Sequence, residues 1–199
     1  MISETLSFLK DQLNNFLSAG QSDNESHEDP VVFVDGEKMD PLSFRLGALS
    51  LLLINIEEEK LLRPPDRYRR TAADGTHYQV HPPLHLNLYI LVVARFKQYE
   101  EALRRLALVI QYFQTHRLFG HPETPTLPEQ IEQVVIELLT LPFAEQNEVW
   151  SSLRLAYHPS VLYKVKMVIY QDEAGLRMTD VKERVLQTAS MDSFSTTRG

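Results

Sequence analysis

Cysteine is absent from this 199-residue chain, which excludes a disulfide framework, a thiolate metal site and a cysteine nucleophile. The seven glycines lie apart, so neither a GxGxxG loop nor a GxxxxGKS/T loop for phosphate can be written. No GxSxG nucleophile elbow is present either. The longest apolar run, residues 48–54 with Ser50 inside it, has about seven residues, whereas a membrane helix needs roughly 20. We therefore expect no insertion into a membrane.

Positive charge is also scarce, with 20 Lys and Arg against 27 Asp and Glu, so the net charge is −7. This balance argues against nonspecific binding to DNA, RNA or an anionic membrane. Hydrophobic residues make up 43% of the chain, enough for a core, and the length predicts one domain with extensions or two small domains. Glu4, Lys10 and Asp11 interrupt the apolar pattern at the N-terminus, which is not that of a signal peptide. We expect synthesis and assembly in the cytoplasm.

Hydrophobic spacing predicts four helices. Residues 2–17 and 99–116 carry apolar side chains three and four positions apart, as one face of a helix requires. A further helix is predicted from Thr126, which has capping-box spacing to Glu129, and it would extend to Leu139. Residues 144–155 form a weaker helical pattern.

Four strands are predicted at residues 31–34, 46–56, 84–96 and 161–170, the last two from strict apolar alternation. The run at 46–56 is apolar on both alternating faces, so a buried helix is the competing interpretation. Strands and helices are segregated along the chain. This order predicts an α+β fold with a mostly antiparallel central sheet flanked by helices.

Two segments have no core pattern. Residues 58–83 are charged, contain two Pro-Pro pairs and show no sustained period, and a loop of that length is usually functional or disordered. The C-terminal tail is rich in Ser and Thr. We therefore divide the chain into a domain at 1–170 and a flexible arm at 171–199.

Catalytic and metal-binding patterns are weak. His77, His81 and His85 are spaced by four, but Pro82 and Pro83 between them rule out a helical metal site. We predict neither a metal nor a cofactor, and no catalytic residue.

The acidic triplet Glu57, Glu58 and Glu59 has three interpretations. An acid–base cluster would need a pocket that separates the pKa values, and nothing near it in sequence suggests one. Solvated charge at the end of a strand is favoured. A partner-contact surface is the alternative, because four arginines follow at once: Arg63, Arg67, Arg69 and Arg70. Interleaved acids disfavour nucleic acid as the partner of these arginines.

The segment PPLHLNLYILVVARFKQYEEALRRLALVIQYFQ at 82–114 resembles a known family pattern. Together with residues 1–14, 51–63 and 127–169, it is similar to the N-terminal domain of the cap, or tail-terminator, proteins of extracellular contractile injection systems. These are phage-tail-like particles of the antifeeding-prophage and virulence-cassette type. The ordered series of segments carries the resemblance, since no motif in it is catalytic.

The resemblance implies a structural role without enzymatic activity. Such a cap is expected to form a sixfold ring of identical chains on the end of the inner tube and sheath, distal to the baseplate. Its partners would be further copies of itself, the sheath protein and the inner tube protein, and the particle is either released or attached to a membrane. The alternatives are another baseplate or sheath-associated component of the same particle, or a small enzyme of unknown class.

Two segments are candidates for contact with partners in that assembly. A flexible arm can add a strand to an exposed strand edge at the end of the sheath. We predict that the tail from Leu176 to Gly199 does so, or that it orders against a neighbouring cap subunit. The charged loop at 57–70 is predicted to contact the sheath or a neighbouring cap. The residues predicted for these contacts are Glu57, Glu58, Glu59, Arg63, Arg67, Arg69, Arg70, Leu176, Met178, Val181 and Val185.

Overall fold

The computed structural model describes residues 1–19, 29–34, 43–59, 69–71, 77–79, 84–169 and 176–177. Contacts divide the chain into two units, Met1–Pro64 with His81–Asp172, and Pro65–Val80 with Glu173–Gly199. In the described ranges the helices are α1 (Ile2–Ala19), α2 (Tyr99–Thr115) and α3 (Phe143–Ser152). The strands are β1 (Val31–Phe33), β2 (Ala48–Glu58), β3 (Arg69–Thr71), β4 (His77–Gln79), β5 (Leu84–Arg95), β6 (Leu118–Gly120), β7 (Ile131–Leu139), β8 (Ser160–Ile169) and β9 (Leu176–Arg177).

A six-stranded sheet in the order β1-β2-β5-β8-β7-β6 organises the larger unit. Every neighbouring pair is antiparallel except β1 and β2, which run parallel. The pairing of β2 with β5 shifts between Leu53 and Asn55, which is a β-bulge. The fold is therefore α+β with a mostly antiparallel sheet and helices on its faces, which confirms the predicted class.

The main core lies between this sheet and helices α1 and α2. Alternation along β5 turns Leu88, Ile90 and Val92 towards the helices, and none of the three is more than 2% exposed. Leu9 and Leu13 of α1 lie in the same cluster because their spacing puts them on one face of the helix. Each such side chain contributes about 1.5–3 kcal/mol by burial, so this face carries most of the hydrophobic stabilisation.

Helix α3 covers one end of the opposite face. Trp150 packs there with Leu91, Val93, Leu162 and Phe44 in a second, smaller cluster. Leu91 and Val93 alternate with the residues of β5 that face the main core. Both faces of β5 are therefore buried at this end, which explains the continuous apolar run in its sequence.

A buried amide ties the edge strand β1 to α1. Asn14 donates from Nδ2 to the carbonyl of Val31 at 3.1 Å, and its Oδ1 accepts from the Val31 amide at 2.8 Å. Asn14 is only 8% exposed, so these bonds satisfy an amide that would otherwise be costly to bury. They fix the position of β1 at the edge of the sheet.

The second unit contains a three-stranded sheet in the order β3-β4-β9, with both pairs antiparallel. Gln79 of β4 lies between Arg69 of β3 and Leu176 of β9. Two short strands thus occur in the segment predicted to be a long loop, and a third in the segment predicted to be the arm. The division at residues 170 and 171 stays a prediction.

The helix predicted from Thr126 is wrong, because residues 131–139 form strand β7. The sequence of this segment fits both periods, but Val134, Val135 and Ile136 are β-branched and therefore favour a strand. Pairing with β8 over the whole length of β7 satisfies its backbone. The short strand β6 was not predicted.

The remaining helices at 2–17, 99–116 and 144–155 are confirmed within a few residues, as are the four predicted strands. The run at 46–56 is the strand, not the competing helix. Residues 20–28, between α1 and β1, lie outside the described residues.

Candidate partner-binding surfaces

The acidic triplet forms the end of β2 and the residue after it. The Tyr89 hydroxyl donates to Oε2 of Glu57 at 2.5 Å, and the Glu59 amide donates to the carbonyl of His85 at 2.9 Å. The hydrogen bond to Glu57, followed by burial and the negative charge of Glu57, raises the pKa of Tyr89. Glu57 and Glu58 are exposed. Glu57 and Glu58 thus form a charged strand end at the surface, and a contact of the triplet with a partner stays a prediction.

A band of polar side chains continues from this point across the sheet. The Lys164 ammonium lies 5.8 Å from the centre of the Tyr89 ring, and Nζ of Lys166 lies 2.9 Å from Oε1 of Glu137. We call Glu57, Tyr89, Lys164, Lys166 and Glu137 the polar band. Exposed ion pairs of this kind contribute about 0–1 kcal/mol each, so the band adds little to stability and presents charge of both signs.

Strand β7 has a partly free outer edge. Strand β6 pairs with it only as far as Val135, and the Ile136 amide then donates to the carbonyl of Arg117 at 2.8 Å. Beyond that bond, no described residue pairs with this side of β7. Leu138 on this segment is 53% exposed. We call residues 137–139 the β7 edge.

A cleft of about 520 Å³ lies beside the β7 edge, against α2. Its lining residues include Ile110, Phe113, Gln114, Arg117, Leu138 and Tyr163. The Tyr163 hydroxyl is buried and has no hydrogen-bond partner in the described ranges. Burial raises the pKa of the Tyr163 phenol well above its ordinary value. An unpaired buried hydroxyl costs about 1–3 kcal/mol. Ser50 Oγ and Asn87 Oδ1 are also buried without a partner in the described part of the chain.

A second cleft, of about 570 Å³, lies at the other end of the sheet beside β1. Phe33, Leu46 and Arg95 are among the residues that line it. The Arg95 guanidinium donates to the carbonyl of Phe44. Both ends of the sheet therefore have concave surfaces with partly exposed apolar side chains.

The family model for the Pvc16 N-terminal domain matches residues 4–181 of the chain. The chain belongs to the Pvc16 N-terminal domain family. The match includes the six-stranded sheet, its three helices and the small sheet that contains β9. No curated protein matches the chain.

Two solved structures share the fold of this Pvc16 N-terminal domain. One is the sheath/tube terminator of an extracellular contractile injection system, PVC, in the extended state, and the other is the tube-terminating cap of the anti-feeding prophage. Each is 16% identical with a TM-score of 0.54 and covers 96% of this chain. The chain spans 65% and 61%, respectively, of the length of those two proteins.

The structure describes only some of the residues predicted to bind partners. Arg69, Arg70 and Leu176 belong to the small sheet, so the end of the charged loop and the start of the predicted arm lie in one unit. Arg63, Arg67, Met178, Val181 and Val185 lie outside the described residues. Whether any of these residues contacts a partner stays a prediction.

The β7 edge and its cleft were missed in the sequence, because the segment was predicted to be a helix. The cluster of β-branched residues at 134–136 is the signal that could have revealed a strand. Nothing in the sequence indicates that the Tyr163 hydroxyl is unpaired, because Tyr163 occupies an ordinary core-facing position in the alternating pattern of its strand.

Metal-binding groups of three or more His, Cys, Asp or Glu residues do not occur in the described part of the chain. His77 lies in β4 and His85 in β5, while His81 falls outside that part. None of the described helices is long and apolar enough to cross a membrane.

Proposed function

We propose that this chain is a structural cap of a phage-tail-like contractile injection particle. It would end the inner tube and the sheath distal to the baseplate and anchor the sheath to the tube. The fold shared over 96% of the chain with a sheath/tube terminator and a tube-terminating cap carries this proposal, together with membership of the Pvc16 N-terminal domain family. The cap acts by binding and not by catalysis.

A ring of identical chains is the form we propose for the cap, with six copies. A closed ring needs heterologous contacts, in which two different surfaces of each chain meet. The sheet of this chain has two unlike ends, the β7 edge at one and the cleft beside β1 at the other. Unlike ends of this kind support a ring over a two-fold dimer, which would use one surface twice.

The test is to delete the chain from the cells that assemble the particle and to measure tube and sheath lengths by electron microscopy. We expect irregular lengths and detached sheaths without the chain, and uniform particles when it is restored. A labelled chain should be found only at the end distal to the baseplate. Uniform particles without it, or a label at the baseplate, would show that the chain is a different component. Native mass measurement of the purified chain tests the number of copies.

The C-terminal segment is proposed to act as an arm that adds to the sheath or to a neighbouring cap. Leu176, Met178, Val181 and Val185 would supply its apolar contacts, and the cytoplasm is where assembly would take place. Truncation after Asp172 tests this. Loss of sheath attachment with the tube still capped is the expected result, whereas particles with normal sheath content would contradict the arm.

The charged segment at 57–70 is proposed to contact the sheath or the next cap. Charge reversal at Arg67, Arg69 and Arg70 should weaken ring formation or sheath attachment, and reversal of Glu57, Glu58 and Glu59 should do the same. Reversal of Lys97, an exposed cation elsewhere on the chain, is the matched control. If reversal of the arginines leaves assembly unchanged, the contact is excluded.

A further inference from the structure

The cleft beside the β7 edge carries a positive charge on the face of the sheet that α2 covers. Arg117 and Glu137 are the charged residues that line it. Arg117 lies opposite Ile136, whose amide donates to its carbonyl, so the Arg117 side chain shares the face of Ile136 and Leu138. The Glu137 carboxylate lies on the opposite face, where it is paired with Lys166. Arg117 is exposed and forms no ion pair with a described residue, so its guanidinium can receive an anion.

The backbone of the β7 edge offers one amide and one carbonyl to an added strand. The Ile136 amide points outwards, because it donates to the carbonyl of Arg117. Every second residue of an antiparallel strand directs its amide and carbonyl to the same side, so Leu138 also directs both outwards. No described residue bonds to these two groups of Leu138. Free groups of this kind are a template for pairing with an added strand.

The line of positions along this edge is closed at one end. Arg117 occupies the position opposite Ile136, and β6 occupies the positions that follow it. Because β6 is antiparallel to β7, an antiparallel strand added opposite Leu138 runs in the direction of β6 and points its carboxyl end at Arg117. A parallel strand would point its positively charged amino end there instead. The Arg117 guanidinium repels that end and attracts a terminal carboxylate, which favours the antiparallel direction.

The cleft provides room for one side chain of such a strand. Residues directly opposite each other in an antiparallel pair have their side chains on the same face, so the residue that pairs with Leu138 faces the cleft. Ile110, Phe113 and Leu138 give the cleft an apolar wall, and its volume is about 520 Å³. Only one further residue, opposite Glu137, fits before the position of Arg117. The apolar residue of the added strand is therefore its last but one.

We infer that the β7 edge and its cleft bind the extended C-terminal end of another polypeptide. The last residues of that polypeptide pair antiparallel with Leu138, the side chain of its last residue but one enters the cleft, and its terminal carboxylate pairs with Arg117. Strand addition supplies main-chain hydrogen bonds, while the cleft and the guanidinium select an apolar chain end. The inference does not depend on the proposed capping role, since it concerns one surface of the free chain.

The test is binding of synthetic peptides to the full chain, measured by fluorescence anisotropy. The probe has about six residues, the length of a typical strand, and carries a dye at its amino end. Val and Ser alternate in it, with Val as the last residue but one and a free terminal carboxylate. The same peptide with a C-terminal amide is its counterpart. We expect the carboxylate form to bind at least about tenfold more tightly, because the amide loses the charge-assisted hydrogen bond to the guanidinium.

Arg117→Gln removes the charge that distinguishes the two peptides. In this variant both peptides should bind alike, about as tightly as the amide binds the original chain. Arg154→Gln is the matched control: Arg154 is exposed, does not line the cleft, and the substitution removes the same charge. The preference of this control for the carboxylate form should stay within about twofold of that of the original chain.

A third peptide tests the strand geometry. Exchange of Ser and Val along the probe retains its composition and its carboxylate but makes Ser the last residue but one. It should bind about tenfold more weakly, because a shift of one residue turns the Val side chains away from the cleft. Equal binding of the carboxylate and amide peptides, an unchanged preference in Arg117→Gln, equal binding of the exchanged peptide, or no binding of the probe would each overturn the inference.

Discussion

The two faces of the six-stranded sheet come from the same strands and are covered very differently. On one face, α1 and α2 close a continuous apolar cluster along β2, β5, β8 and β7. On the other, α3 covers one end around Trp150, and the polar band crosses the strands beyond it. Burial on the first face holds the fold together. The second face and the sheet edges have polar and partly exposed groups that remain available to partners.

The largest effect on stability is expected from Leu88→Ala. Leu88 is fully buried on the face covered by α1 and α2, and truncation there removes apolar contacts and leaves a cavity. We expect a loss of about 3–4 kcal/mol in the free energy of unfolding, measured by urea denaturation. A loss below about 1 kcal/mol would contradict the conclusion that this face carries most of the hydrophobic stabilisation.

Asn14→Ala should have the next largest effect. The substitution leaves the amide and carbonyl of Val31 without the partners that Asn14 gives them. We expect a loss of about 2–3 kcal/mol, with faster hydrogen exchange confined to β1 and its neighbours. Asn15→Ala is the matched control, since Asn15 is the next residue of the same helix and is exposed. Equal losses in the two variants would show that helix propensity, and not the tie to β1, is responsible.

Leu91→Ala compares the opposite face directly with Leu88→Ala. Leu91 lies on the same strand and is 4% exposed in the smaller cluster under α3. The loss should be about 2 kcal/mol, at the low end for a buried leucine, because a small cluster near the surface relaxes more easily. Hydrogen exchange should then show local opening of α3. If Leu91→Ala costs more than Leu88→Ala, the ranking of the two faces is reversed.

The smallest effect is expected in the polar band. Tyr89→Phe removes the hydrogen bond to Glu57 and should cost less than about 1 kcal/mol at pH 7. Because folding raises the pKa of Tyr89, its contribution is present below the ordinary tyrosine pKa of about 10 and is lost as the pH rises through the higher value of the folded chain. The difference between variant and original chain should therefore shrink above about pH 10. Tyr99→Phe, at a largely exposed tyrosine, should show no such change.

Much of the architecture could be predicted from the sequence, because the apolar residues of most elements repeat with either the helical or the strand periodicity and not with both. Apolar residues of α2 recur three and four apart, and those of β5 alternate strictly, so each pattern excludes the other structure. The predicted antiparallel sheet followed from the segregation of these elements. The resemblance of several segments to a cap family also lay in the sequence, and the match over residues 4–181 confirmed it.

The sequence by itself determined the α+β class, helices α1 and α2, and strands β5 and β8. Only the tertiary structure decided that residues 131–139 are a strand, since Ile131, Val134 and Leu138 also fit a helical face. Pairing with β8 settles the choice because it satisfies the backbone of β7 and buries Val134 and Ile136 against the main core. The sequence likewise could not predict the hydrogen bonds between Asn14 and Val31, the free β7 edge or the unpaired Tyr163 hydroxyl. Each depends on which segments lie side by side in the fold, and the hydrophobic periodicity of one segment does not indicate which other segments it will contact.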